Sequence, residues 1–150
     1  MKLSTKGRYG LRALIDLALY SEAELVSIQS IAARQNISDR YLEQLMRKLK
    51  GAGLVVSVRG AQGGYKLARP ACEISVGEIL RALEGNLDAV ACDGTENSCQ
   101  GADLCVTRYV WQRINNSIKN TVDSIMLDQL VEESRAMREK GQIQLEKCDN

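Results

Sequence analysis

Between Ser38 and Gly51 the apolar residues keep one spacing: Leu42, Leu45, Met46 and Leu49 stand at i, i+3, i+4 and i+7. Only an α-helix brings those positions onto one face. The other face carries Arg40, Glu43, Gln44 and Arg47. Upstream, Ser27 can cap a shorter helix through Ile28, Ile31 and Ala32 that stops near Asn36, a residue tolerant of left-handed backbone. Only a tight turn then separates it from the next cap, Ser38. Two helices joined this way, the second bearing long polar side chains outward, form the helix-turn-helix pattern. A further amphipathic helix from Tyr9 to Tyr20, with Leu11, Leu14, Ile15, Ala18 and Leu19 inward, supports the pair from behind.

After Gly51 and Gly53 the pattern changes period. Leu54 to Arg59 alternates as a strand, with Val56 and Val58 on one side and Ser57 and Arg59 on the other. Gly60-Ala61-Gln62-Gly63-Gly64 makes a turn, and Tyr65 to Leu67 a second short strand. This hairpin is the wing of a winged helix. Ser75 and Glu78 stand at capping-box spacing and open a helix through Ile79, Leu80 and Leu83 that closes at Gly85. Residues 86–104 show no periodicity. From Cys105, Val110, Ile114, Ile118, Val122 and Ile125 form one long apolar stripe that wants a partner helix. Leu127 to Met137 fits one more short helix, and the tail from Lys140 is expected to fray.

The expected fold is therefore mostly α with a small β-hairpin wing. A winged helix-turn-helix DNA-binding region occupies 1–70, a linking helix and cysteine loop 71–104, and a dimerisation helix, short helix and tail 105–150. At 150 residues the chain is about one domain long and can hold a real core. No run of 18 apolar residues spans a bilayer, and the N-terminus does not read as a secretory signal, so the expected compartment is the cytoplasm, away from membranes.

The net charge of +1 conceals an asymmetry. Residues 1–70 carry 12 Lys/Arg against 5 Asp/Glu, a balance of +7; residues 71–150 carry 8 against 14, a balance of −6. A basic front half beside a helix-turn-helix points to double-stranded DNA. Ser38, Arg40, Glu43, Gln44 and Arg47 are the types that read base edges in the major groove, arginine gripping guanine and glutamate accepting from cytosine N4. Lys2, Lys6, Lys48 and Lys50 suit phosphates. Arg59, beside the glycine-rich tip Gly60, Gln62, Gly63 and Gly64, is a candidate minor-groove finger.

Histidine is absent, which excludes the His-based nucleophile systems and every His-containing metal site. With no phosphate-binding glycine loop and no carboxylate pair, an enzyme is not expected. Of the five cysteines, Cys92, Cys99 and Cys105 are grouped in a polar, glycine-bearing segment. Three thiolates on such a segment can converge on one soft metal centre, an iron-sulfur cluster or zinc, or act as a thiol switch for redox or nitric oxide. Both metal options prefer a fourth ligand. Asp or Glu, Cys72, Cys148, a group from a partner subunit or a small exogenous molecule remain open for it.

The segments LSTKGRYG, YLEQLMRKLKGAGLVVSVRGAQGGYKL, ISVGEILRALEG, CDGTENSCQGADLC and VTRYVWQRI resemble the IscR-like family of winged-helix iron-sulfur regulators over roughly residues 1–131. The resemblance implies a homodimeric transcription factor whose Cys92, Cys99 and Cys105 hold a labile 2Fe-2S cluster, its occupancy selecting among promoters of iron-sulfur assembly genes. It also implies that Glu43 discriminates operator classes and that Arg59 enters the minor groove. The homodimer implies a near-palindromic operator. Three positions depart from the family pattern: the first cysteine spacing is one residue longer, Arg40 stands at a serine position, and Arg108 at that of a histidine ligand. A guanidinium stays protonated and cannot take the histidine's place. A related variant draws a carboxylate from near the partner's N-terminus, where this chain has Arg8.

Overall fold

The computed structural model describes residues 3–90, 101 and 104–148. Six helices and one hairpin appear among them: α1 (Thr5–Tyr20), α2 (Ile28–Gln35), α3 (Asp39–Gly51), β1 (Val55–Val58), β2 (Gly64–Leu67), α4 (Val76–Glu84), α5 (Val106–Ser124) and α6 (Leu127–Cys148), with a 3-10 turn at Ala71–Glu73. The winged helix-turn-helix is as the sequence implies. Ser27 and Ser38 cap α2 and α3 by accepting the Ser30 and Tyr41 N–H groups, and Asn36 closes α2 at φ +54°. Ser75 and Glu78 form the full capping box of α4.

Two boundaries differ from the sequence reading. Helix α1 starts at Thr5 rather than Tyr9, because Ser4 accepts the Lys6 N–H and Glu84, distant in sequence, accepts the N–H groups of Ser4 and Gly7. Helix α6 runs to Cys148, well past Met137 and through Lys140. Its later residues carry no apolar stripe but are mostly strong helix formers such as Glu139, Lys140, Gln142, Gln144 and Glu146. In the wing, Val55 is buried and Ser57 half-buried, whereas Val56 and Val58 are exposed. The apolar pair thus lies on the outer side, and the hairpin is fastened to the core by Leu54 and Val55 instead.

The strands pair antiparallel, Val55 opposite Leu67 and Val58 opposite Gly64. Val26, before α2, exchanges two backbone hydrogen bonds with Tyr65, of 3.0 and 2.8 Å, and so extends the wing towards the helices. The main core gathers Leu14, Leu17, Ile31, Leu42, Leu45, Met46, Leu49, Leu54, Ile74, Ile79 and Leu83, and also takes Leu127 and Val131 from α6. Each such side chain contributes about 1.5–3 kcal/mol by leaving water. Val76, Leu80 and Leu87 form a smaller cluster against Ile118, Val122 and Ile125, seating the C-terminal half of α5 on α4. Among the described residues no helix is long and apolar enough to cross a membrane.

Candidate DNA interface and cysteine segment

Helix α3 is divided as its periodicity requires. Leu42, Leu45, Met46 and Leu49 are at most 1% exposed, while Ser38, Arg40, Glu43, Gln44 and Arg47 are all exposed. None of the charged three, Arg40, Glu43 and Arg47, takes part in an ion pair among the described residues. Their polar groups remain available outward. Ser38 has a second task as the α3 N-cap, a role of about 1 kcal/mol. The Tyr41 hydroxyl donates to Thr5 Oγ1 at 3.2 Å and its ring meets Tyr9 edge-on, which fixes the start of α3 against the start of α1.

The lysines fall into different settings. Lys48 Nζ donates to the Leu83 carbonyl at 3.2 Å, and Lys50 Nζ to Ser57 Oγ at 2.7 Å. The first ties α3 to the end of α4 and the second ties it to the wing, so each ammonium already has an internal acceptor. Lys6 is exposed on the first turn of α1, and Lys2 lies outside the described residues.

At the wing tip Arg59, Gly60 and Gln62 are exposed. Gly60 has φ +116°, a region that favours glycine. The Gly63 N–H returns to the Gly60 carbonyl at 3.0 Å, and a Cβ on Gly63 would run into the Val58 carbonyl. A Cβ on Gly64 would lie 2.7 Å from the Val26 carbonyl. These glycines close the turn and admit the neighbouring backbone, which leaves Arg59 and Gln62 as the side chains the tip presents.

Of the three grouped cysteines only Cys105 is described; Cys92 and Cys99 lie outside the described residues. Cys105 is exposed and stands at the N-cap of α5. Its Sγ is 3.1 Å from the Thr107 hydroxyl. That hydrogen bond first, then the backbone N–H of Arg108, holds the thiol below its ordinary pKa, with the Arg108 charge acting the same way. A thiolate-favouring helix start suits a soft metal ligand. Among the described residues no group of three or more Cys, Asp or Glu side chains converges as a metal site. Arg108, half-buried on the first turn of α5, sits beside the thiol as a cation and not as a donor atom for metal.

Two positions missed in the sequence prove structurally central. Asn115 of α5 accepts the Ala89 N–H and donates to the Val90 carbonyl, and Glu84 gathers the start of α1. Nothing local marks either. Their partners lie 25 or more residues away.

Helix α5 has no buried residue. Val106, Tyr109, Val110 and Ile114 are 84, 65, 44 and 39% exposed. Tyr109, Val110, Arg113, Ile114, Ser117 and Ile118 line an open groove of about 430 Å³ along this face.

The profile of the Rrf2 family, described as "Iron-dependent Transcriptional regulator", matches residues 3–133. The chain is 45% identical over 131 residues to the HTH-type transcriptional regulator IscR of Pectobacterium atrosepticum, covering 87% of this chain and 79% of that one. To IscR of Escherichia coli O1:K1 it is 41% identical over 141 residues, covering 94% and 86%. Among solved structures, CymR, the global cysteine regulator of B. subtilis, superposes with a TM-score of 0.74 at 41% identity, covering 89% of this chain and 98% of that one. T. potens IscR superposes with a TM-score of 0.72 at 45% identity, covering 89% and 88%.

Proposed function

Since the chain belongs to the Rrf2 family of iron-dependent transcriptional regulators, we propose that it is a homodimeric repressor or activator whose cysteine segment carries an iron-sulfur cluster of the 2Fe-2S type. Cluster occupancy governs which operators it binds, among them those of iron-sulfur assembly genes. The observation that carries this reading is the pairing of an outward, unpaired α3 face beside a wing with an exposed, thiolate-favouring Cys105 at the head of α5. Cys92, Cys99 and Cys105 would hold the cluster, which supplies one-electron redox chemistry and lability to oxidants. The chain's own part is to favour the thiolate of Cys105 through Thr107 and the Arg108 N–H, and to place a cation, Arg108, near an anionic centre.

On the DNA side, Arg40, Glu43, Gln44 and Arg47 read base edges in the major groove, with Ser38 at the start of the helix, and Arg59 enters the minor groove from the wing. Lys6 and Lys2 hold phosphates, and Lys48 and Lys50 do so by exchanging their internal acceptors. The exposed stripe Tyr109, Val110 and Ile114 belongs against a second copy of α5. A two-fold dimer spaces the recognition helices by about 34 Å or a multiple and selects a near-palindromic operator. Ile114→Glu should convert the dimer to monomer in sedimentation; an unchanged dimer would place the interface elsewhere.

The likeness to CymR and the arginine at position 108 favour a second reading, a regulator of the same fold that uses the cysteines for structural zinc or as a thiol switch. Anaerobic purification with iron, zinc and acid-labile sulfide analysis separates the two. A coloured protein whose iron-loaded and metal-free forms differ in operator affinity supports the cluster. A colourless zinc protein, or equal affinities for every operator, supports the second reading.

A further inference from the structure

Helix α6 is joined to the end of α1 at two successive turns. Arg135 Nη2 donates to Glu22 at 3.0 Å, and Arg138 Nη1 donates to the Tyr20 hydroxyl at 2.7 Å. The first is an exposed surface pair, of the kind that contributes little. The second leads further. The Arg34 guanidinium of α2 covers the Tyr20 ring, its Cζ 4.0 Å from the ring centroid, where the negative face of the ring attracts a cation. Arg34 in turn grips Asp16 of α1 with Nε and Nη2 at 2.9 and 2.7 Å, and Gln35 Nε2 adds a further donor at 2.9 Å. Asp16 is 1% exposed, so its charge depends on those donors. Beside this line of contacts an open groove of about 300 Å³, lined by Ile15 and Leu19 of α1, Gln35 of α2 and Leu130 and Met137 of α6, keeps the helices apart. The Tyr20 ring bridges what the groove separates.

We propose that Tyr20 is a positioning residue for operator binding: its ring, faced by Arg34 and held at the hydroxyl by Arg138, fixes the last turn of α2 and so the pose of α3 on α1, and makes that pose depend on α6. The inference rests on the reading of α3 as the helix that reads base edges. Arg34 and Gln35 end α2; Asn36 closes it, the Ile37 N–H returns to the Ala32 carbonyl at 3.1 Å, and Ser38 caps α3. The anchor on Asp16 therefore acts within a few residues of the start of α3. A tilt of about 4° about Ser38 moves Arg47, about 14 Å along the helix, by about 1 Å. That exceeds the range over which a base-edge hydrogen bond stays well formed. Neither Tyr20, Arg34 nor Arg138 belongs to the base-reading or phosphate-holding set, so the effect is on pose.

The test uses full-length proteins isolated anaerobically side by side and a duplex that wild type enriches from a random-sequence pool, with a scrambled duplex of the same length and composition as control. A cation–π contact at a partly exposed site amounts to about two- to fivefold in an equilibrium constant. Tyr20→Leu should therefore weaken binding to the enriched duplex about two- to fivefold. Arg138→Ala and Tyr20→Phe each break the hydroxyl bond and leave Arg34 on the ring; they should weaken binding by a smaller, similar factor. Adding Arg138→Ala to Tyr20→Leu should change nothing further. Affinity for the scrambled duplex and the salt slope should stay at wild-type values, since no phosphate contact is lost. Arg135→Ala removes the same charge about one turn earlier and should leave binding to the enriched duplex as it is. All binding is read well below every thermal midpoint, where a loss of stability alone moves no dissociation constant. Unchanged binding in both Arg138→Ala and Tyr20→Phe would overturn the inference, as would an equal loss in Arg135→Ala, a parallel loss on the scrambled duplex, or factors that multiply in the double variant. A pool from which wild type enriches no sequence would overturn the base-reading assignment of α3, and this inference with it; that result appears before any variant is compared.

Discussion

Glu84→Gln removes one negative charge from a point where three hydrogen bonds converge. Glu84 Oε1 accepts the Ser4 N–H at 2.9 Å, the Ser4 hydroxyl at 2.6 Å and the Gly7 N–H at 2.9 Å. All three donors belong to the start of α1, where unpaired N–H groups concentrate partial positive charge. The Ser4 hydroxyl is the largest influence holding the carboxyl below its usual range; burial opposes it, and the Gly7 and Ser4 N–H groups and the Lys6 charge add to the lowering. A hydrogen bond to a charged group is worth about 1.5–3 kcal/mol net against about 0.5–1.5 for a neutral one. The helix terminus adds about 0.3–1 kcal/mol for an anion. Because the three bonds share one oxygen on a half-exposed side chain, these gains do not sum. Glutamine keeps a carbonyl acceptor, so the expected cost at pH 7 is about 1.5 kcal/mol, or about 3–6 °C in Tm for a chain of this length.

The pH dependence gives the sign. The folded carboxyl titrates below its unfolded counterpart, whose pKa is about 4.3, so the unfolded chain binds the proton more readily. The stabilisation is complete above that unfolded value and is lost as pH falls through the folded one. Wild type and Glu84→Gln should therefore differ at neutral pH and converge in acid. Thermal unfolding at fixed protomer concentration measures both, since dimerisation makes Tm concentration-dependent. Identical curves at pH 7, or a gap of unchanged size below the folded pKa, would refute the assignment of Glu84 as the anionic cap of α1.

Other substitutions probe separate links. Arg34→Ala should cost about 3 kcal/mol or more in urea unfolding, because Asp16 is 1% exposed and accepts from Arg34 Nε and Nη2 as well as from Gln35; Asp16→Asn in the same background should restore part of the loss. Gly64→Ala should destabilise by about 1–3 kcal/mol, since its Cβ meets the backbone of Val26 and must part the two bonds that hold the wing to the helices. Arg59→Ala should leave unfolding unchanged and weaken specific operator binding by about 1–3 kcal/mol at fixed salt, whereas Glu43→Ala should alter which sequences bind more than how tightly. A uniform loss across sequences for Glu43→Ala would remove it from the base-reading set.

The elements legible in the sequence are those whose signal is local. Leu42, Leu45, Met46 and Leu49 declare α3, Ser75 and Glu78 declare α4, and the glycines from Gly60 to Gly64 declare the turn, because period, cap and backbone freedom are each written within a few residues. The start of α1 is not written locally. Thr5, Lys6, Gly7 and Arg8 include a glycine and no apolar stripe, and the group that makes them helical is Glu84 at the end of α4. Gly7 and Gly10 look like helix breakers until α4 is packed on them, when a Cβ at either would strike Glu84 or Leu83. The reach of α6 was hidden for the opposite reason, its later residues being helix formers without amphipathic order. For the site, residue type sufficed to nominate the α3 face. It could not foresee that Lys48 and Lys50 would have internal acceptors, or that an unremarkable asparagine on α5 would clamp the chain leading to Cys92.

These long-range contacts meet in one short stretch. The Leu83 carbonyl receives Lys48 from the recognition helix, Glu84 holds the first turn of α1, Gly85 turns the chain at φ +83°, Leu87 is packed against α5, and Ala89 and Val90 end on Asn115. A β-carbon at Gly85 would be strained by that backbone angle, so the corner is a place where only glycine lets the helix stop and the chain turn towards α5. Packed interiors transmit small displacements instead of absorbing them. A movement of residues 89–90 along α5 would therefore act within a few residues on the end of α4, and from there through Lys48 on α3 and through Glu84 on the start of α1.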